Sequence, residues 1–174
     1  MPESLLSFCE ARRIDVLAHG VLAGGFLSES YLGALPPRAT LPTASLNFYL
    51  KSIHAAGGTA ARGLHRGAAA KAAAAREGWT RYQQLLLGLE AISVKHACTI
   101  PNLAIAWALE RPAVAAVVVG ARDDSHVLEN LRALGVSLDR EDHALIERLQ
   151  AEAEGPAGDC YYRERLYATG GGEE

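Results

Sequence analysis

Gly120 and Arg122 are the residues of this 174-residue chain best suited to chemistry by type and spacing. They lie in Ala113-Val-Ala-Ala-Val-Val-Val-Gly120-Ala-Arg122-Asp123-Asp-Ser-His126-Val-Leu-Glu129-Asn130. A β-branched run stops at a glycine, an arginine follows two residues on, and a helix opens at once behind Asp123. A strand that ends this way lets backbone come close to a ligand, and the helix end offers unpaired N–H groups to an anion. Arg122 adds a planar fork of donors that matches a phosphate monoester. The competing reading is an ordinary exposed ion pair between Arg122 and Asp123 or Asp124, since such pairs are common.

A second junction has the same form. Ile14-Asp-Val-Leu-Ala18 reads as a short strand and runs into His19-Gly20-Val21-Leu22-Ala23-Gly24-Gly25. A plain loop accounts for the glycines equally well, and Asn130 could simply bond within its own helix. Other candidates fall away by spacing. His54, His65, His96 and His143 show no metal-ligand spacing. Glu77, Glu90 and Asp142 form no evident carboxylate dyad. Cys9, Cys98 and Cys160 are odd in number and far apart, which indicates neither a zinc site nor a disulfide framework.

The elements that must position these residues follow from periodicity. Ser4–Arg13 reads as a short helix with a basic end. A proline- and small-residue-rich stretch runs to Pro42, and Ser45–Ala55 has helical spacing. Gly57–Glu77 is dominated by glycine and alanine and carries Arg62, Arg66, Lys71 and Arg76. Its composition suits a solvated, partly helical or disordered insert, and it lacks aromatics for stacking on nucleic acid. From Gly78, Tyr82, Leu85, Leu86, Leu89, Ile92 and His96 form one helical stripe. Thr99 suits the N-cap of the next helix, with Pro101 in its first turn. The strand Val114–Val119 follows Pro112. Asp123 and Asp139 then cap two further helices, and the tail after Gly155 reads as loop. This order implies parallel β/α construction, yet two strands alone leave their outer edges unpaired. Nearly half the residues are apolar and the net charge is −3, a globular balance that does not favour a polyanion partner. There is no run of 18 apolar residues and no evident leader, so no membrane partner and a cytoplasmic location are expected.

The two junctions, taken with what lies between them, resemble the aldo-keto reductase family. His19-Gly-Val-Leu-Ala-Gly-Gly-Phe-Leu27 is similar to its Tyr-Gly/Ser-Pro-Leu-Ala-Gly-Gly-x-Leu segment. Val118-Val-Gly-Ala-Arg122, ending at Glu129-Asn-Leu131, resembles its cofactor segment. Gly78-Trp79, Tyr82-Gln83, Leu85–Leu89, Lys95-His96 and Trp107-Ala-Leu109 resemble the helix pair between them. The resemblance implies a partial (β/α)8 barrel: the last two β/α units plus the C-terminal helix, helix-rich with few parallel strands. Residues 1–154 would form this partial domain, with the alanine-rich insert at 57–77 and a tail at 155–174. The implied cofactor is NADP, held at the C-terminal ends of the strands. His19 stands where the family has an aromatic residue on the nicotinamide. Gly20, Leu22, Ala23 and Gly24 match the loop beneath the pyrophosphate, with Gly120 at the second junction and Arg122 at the 2′-phosphate. Glu129 and Asn130 match the pair that reads adenine and ribose, and His126 faces the same adenosine end.

The family's acid is a tyrosine assisted by lysine, aspartate and histidine on earlier strands of the barrel. Tyr31, Tyr49, Tyr82, Tyr161, Tyr162 and Tyr167 have no matching context, so no catalytic residue is nominated here. The chain is also shorter than the ~250 residues of a complete barrel. Three readings therefore stay open. The chain is the C-terminal part of a carbonyl reductase and inactive alone; or it is a non-catalytic half-barrel that binds NADPH; or it is an interaction module. A small carbonyl substrate is expected only where the barrel is completed, and the unpaired sheet edges suggest self-association.

Overall fold

The computed structural model describes residues 5–38, 40–55, 67–121 and 123–152. The element order is α1 (Leu5–Ala11), β1 (Val16–His19), α2 (Ala44–Ala55), α3 (Ala68–Lys95), α4 (Ile100–Leu109), β2 (Val114–Val118), α5 (Asp124–Leu131) and α6 (Arg140–Glu152). Short 3-10 turns lie at Ala23–Gly25, Glu29–Tyr31 and Arg132–Gly135. The chain divides into two units, residues 1–32 with 86–147 and residues 33–85 with 148–174.

The first unit holds both described strands. β1 and β2 pair in parallel, with Val16 opposite Val114, Leu17 opposite Ala116, Ala18 opposite Val117 and His19 opposite Val118. The jump from Val114 to Ala116 leaves Ala115 as an extra residue in β2. The result is an α/β unit with a two-stranded parallel sheet, helix-rich as expected. Its core is mainly apolar. Phe26, Leu86, Ile92, Ile100 and Leu103 are fully buried, and α4 is buried along most of its length.

Helix ends in this unit follow local chemistry. Thr99 caps α4 by accepting from the Asn102 N–H at 3.3 Å, and Pro101 occupies the first turn. The Glu29 carboxylate accepts from the Ile100 N–H at 2.6 Å and satisfies a second donor of the same turn. α1 and α3 end alike. Ile14 N–H reaches the Cys9 carbonyl and Arg13 N–H the Glu10 carbonyl, while Cys98 N–H reaches Ser93 and Ala97 N–H reaches Val94. Arg13 and Ala97 occupy the left-handed position of these caps, where glycine is usual.

The second unit is helical among its described residues. Thr43 Oγ1 accepts from Leu46 N–H and starts α2, and the Asn47 side chain bonds both the N–H and the carbonyl of Leu41. Trp79 is buried, donates its indole N–H to the Ala34 carbonyl at 3.0 Å, and packs on Tyr82 with ring centroids 4.9 Å apart.

One boundary differs from expectation. α3 begins at Ala68, ten residues before Gly78, and so takes in the second half of the stretch read as an insert. Alanine is the strongest helix former, so this low-complexity segment propagates the helix that follows it. The start of that stretch, residues 56–66, lies outside the described residues, as do Ser4 and the tail from residue 153.

Candidate functional site

Parallel pairing brings the two glycine junctions to one end of the sheet. With His19 directly opposite Val118, the loop that leaves β1 and the segment that leaves β2 start side by side. In parallel β/α folds, ligands bind at this end of the strands.

The first loop is shaped by backbone conformations that favour glycine. Gly20, Gly24 and Gly25 all have positive φ, at 70°, 66° and 106°, and Ala23 shares the region at 48°. Ala23 N–H bonds the Gly20 carbonyl, while Gly25 and Leu27 N–H both bond the Leu22 carbonyl, so the chain turns tightly on itself. Leu22, Ala23 and Gly24 are half-buried and Gly20 is exposed. Phe26 anchors the loop from below: it is fully buried and lies 4.5 Å from the Tyr31 ring. His19 ends β1 with its side chain exposed.

The second junction is open. Gly120 is exposed, and a Cβ added there would meet no atom within 4 Å, which leaves room for another molecule beside the backbone. Arg122 lies outside the described residues. Asp123 caps α5. Its Oδ1 accepts from the His126 N–H at 3.3 Å, from His126 Nδ1 at 2.8 Å and from Ser125 Oγ at 2.5 Å. Hydrogen bonds from Ser125 and His126 hold its carboxyl down at about 2, so it is an anion across the neutral range. His126 and Asn130 fall one turn apart and are half-buried, whereas Glu129 is exposed. The Glu129 carbonyl accepts from the buried Asn102 side chain at 2.7 Å, which ties α5 to α4. Asn102 was not singled out from sequence, because a polar residue in a helix's first turn ordinarily faces water.

A second polar cluster also escaped the sequence reading. Asp142 is buried, and its Oδ1 accepts from Lys95 Nζ at 2.8 Å. Its Oδ2 accepts from His96 Nε2 at 2.7 Å and from the Asp139 N–H at 2.9 Å. A carboxylate only accepts, so His96 carries its proton on Nε2. Asp139 returns the bond, accepting from the Asp142 N–H at 3.0 Å, which makes a reciprocal capping box at the start of α6. Burial alone would raise the Asp142 pKa. The bonds from Lys95, the Asp139 backbone and His96 outweigh it and hold the carboxyl well below the usual range. Lys95 is pushed up in turn by its bonds to Asp139 and Asp142.

Neither this cluster nor Cys98 is set up for catalysis. Every polar atom of Asp142 is spent on a fixed partner. Burial pushes the Cys98 thiol up, with the nearby Glu29 charge acting in the same direction, away from a reactive thiolate. His143 accepts from Arg111 through Nδ1 and contacts Glu110 through Nε2 at 2.8 Å, a structural bridge from α4's end to α6. Among the described residues no group of His, Cys, Asp and Glu could hold a metal ion. None of their helices is long and apolar enough to cross a membrane.

Two comparisons bear on this arrangement. The chain is similar to the NADH-specific methylglyoxal reductase of Escherichia coli (strain K12), with 32% identity over 78 residues. That stretch is 45% of this chain and 24% of the relative, so the match spans well under two thirds of the relative's length. A sequence profile for the Aldo/keto reductase family matches residues 1–151, which contain both glycine junctions and every described helix except the final residue of α6. The chain belongs to the aldo/keto reductase family.

Proposed function

We propose that this chain supplies the pyrophosphate and adenosine contacts of a nicotinamide dinucleotide in a carbonyl reductase, and that alone it binds this cofactor without turnover. The observation that carries the reading is the register of His19 opposite Val118, which puts both glycine junctions at one strand end. In this reading His19, Gly20, Leu22, Ala23 and Gly24 line the nicotinamide and pyrophosphate side. Gly120, Arg122, His126, Glu129 and Asn130 line the adenosine side. The cofactor, when bound, supplies hydride. The chain's own residues bind and orient it, and the open face of Gly120 fits the close approach that this requires. The partial barrel of two β/α units and the lack of turnover belong to the same proposal.

The form of the cofactor has two pointers. The resemblance through Arg122 implies NADPH, whereas the Escherichia coli relative is named for NADH. The test therefore uses both. Purified chain is titrated with NADH and NADPH by calorimetry, then assayed for oxidation of each with methylglyoxal as a small carbonyl probe. Saturable binding without turnover is expected. Turnover by the chain alone would remove the inactivity claim, and absence of binding to either nucleotide would remove the site. Among the described residues the outer edges of β1 and β2 are unpaired and Leu17 and Val118 are exposed, which further supports self-association; light scattering over a range of concentrations checks it.

A further inference from the structure

The geometry points to Asp123 as the residue that decides which nicotinamide dinucleotide is taken: its carboxylate, fixed at the start of α5, disfavours a 2′-phosphate and favours a ribose with a free 2′-hydroxyl. This rests on the cofactor reading above and sharpens it at the adenosine end.

The argument begins with what a 2′-phosphate would need. A phosphate monoester carries close to two negative charges near neutral pH. At a helix start it would seek backbone N–H groups and any nearby hydroxyl or imidazole donor. Here three of the donors at the α5 start are engaged. The His126 N–H, the His126 ring and the Ser125 hydroxyl all bond one oxygen of Asp123. A phosphate would have to displace this carboxylate from its donors or lie against it. Displacement loses three bonds, and proximity sets like charges together. Protonation offers no escape at neutral pH, because those same bonds keep the Asp123 carboxyl ionised.

The local charge points the same way. Arg122, Asp123 and Asp124 together carry one cation and two anions. The cation that the resemblance assigns to the phosphate is therefore outnumbered among these three consecutive residues.

A hydroxyl meets the opposite situation. All three contacts of Asp123 end on Oδ1, and among the described residues Oδ2 takes none. The side chain is about half exposed, so Oδ2 can accept from an incoming donor. A ribose 2′-hydroxyl is such a donor, and carboxylates serve this purpose in other dinucleotide sites. The described start of α5 thus fits the dinucleotide without the 2′-phosphate and does not fit the one with it.

The test compares NADH and NADPH binding to the full chain by calorimetry, for wild type, Asp123→Ser and Asp123→Asn. Both replacements are neutral and both are good N-caps, so the helix is retained, and circular dichroism verifies this. At low salt, wild type is expected to bind NADH roughly tenfold or more tightly than NADPH, and each replacement is expected to cut that preference by about tenfold. The preference should also narrow in high salt, as a charge effect at an exposed site must. Equal or tighter binding of NADPH by wild type would overturn the inference. So would a preference that both replacements leave unchanged. If neither nucleotide binds any of the three proteins, the cofactor reading itself fails and takes this inference with it.

Discussion

The starts of α5 and α6 are built from the same parts and put to opposite uses. Each is capped by an aspartate, and each has a histidine bonded to a carboxylate. At α6 the carboxylate that matters, Asp142, is buried and receives its bonds from the end of α3, some 46 residues away in sequence. At α5 Asp123 is half exposed and its described partners are Ser125 and His126, two and three residues on. The difference lies in where the donors come from. Donors from another helix turn a capping carboxylate into a cross-link, with no capacity left over. Donors from its own turn leave a carboxylate fixed in place with one oxygen facing outward. The first arrangement holds the fold and the second can meet a ligand.

The largest break in this comparison is Asp142→Ala. It removes the acceptor for Lys95, His96 and the Asp139 N–H at once and leaves the latter two short of a partner inside the protein. A loss of about 2–3 kcal/mol is expected, read as a lower urea midpoint at unchanged slope. Nucleotide affinity at the other helix should stay within the effect of the lost stability. A variant that unfolds no more readily than wild type would show that the cluster is not a cross-link.

Acid titration gives the next effect, and its sign follows from the direction of the shift. The folded pKa of Asp142 lies below its unfolded value of about 3.9, so the cluster's contribution is fully present above that value and fades as pH falls below it. Wild type should therefore lose stability steeply below about pH 4, and Asp142→Asn should flatten that slope. Some slope should persist, since Asp123 and Asp139 are lowered as well. An identical acid slope in the variant would assign the loss to other carboxylates.

These clusters also mark how far the sequence could be read. Thr99 with Pro101, Asp123 and Asp139 were legible because a cap is decided within four residues, and the structure has all three at helix starts. The two strands and the glycine junctions behind them were legible for the same local reason. Asp142 was passed over because its partners Lys95 and His96 lie at the end of another helix, and no spacing rule connects them. Asn102 was missed likewise, since its acceptor is a backbone carbonyl on α5. The start of α3 was misplaced because glycine and alanine together resemble a linker, although alanine alone favours helix. Arg122, whose side chain suits a phosphate, lies outside the described residues.

Asp123→Ala tests the other half of the comparison. It removes a cap whose described partners are all local, so its midpoint should fall by well under half of what Asp142→Ala costs. Asp123→Ser, which restores a cap without the charge, should recover nearly all of that loss. A destabilisation by Asp123→Ala as large as that of Asp142→Ala would mean that α5's start is also a cross-link, and that the two regions do not divide as argued.

The smallest effect lies at Ala97, directly after His96. Its φ is 49°, a left-handed conformation that disfavours any residue with a Cβ, and the cap bonds around it leave no freedom to relax. Glycine adopts this conformation without the clash but loses more entropy on folding, so the two effects partly cancel. Relief of strain should win where the position is held as firmly as here. Ala97→Gly is expected to raise stability by about 0.5 kcal/mol, measured as a higher urea midpoint. The gain should be smaller in an Asp142→Ala background, because the corner that enforces the strained conformation is then looser. Equal gains in both backgrounds would show that the α3 end is fixed by its own cap bonds and owes nothing to Asp142.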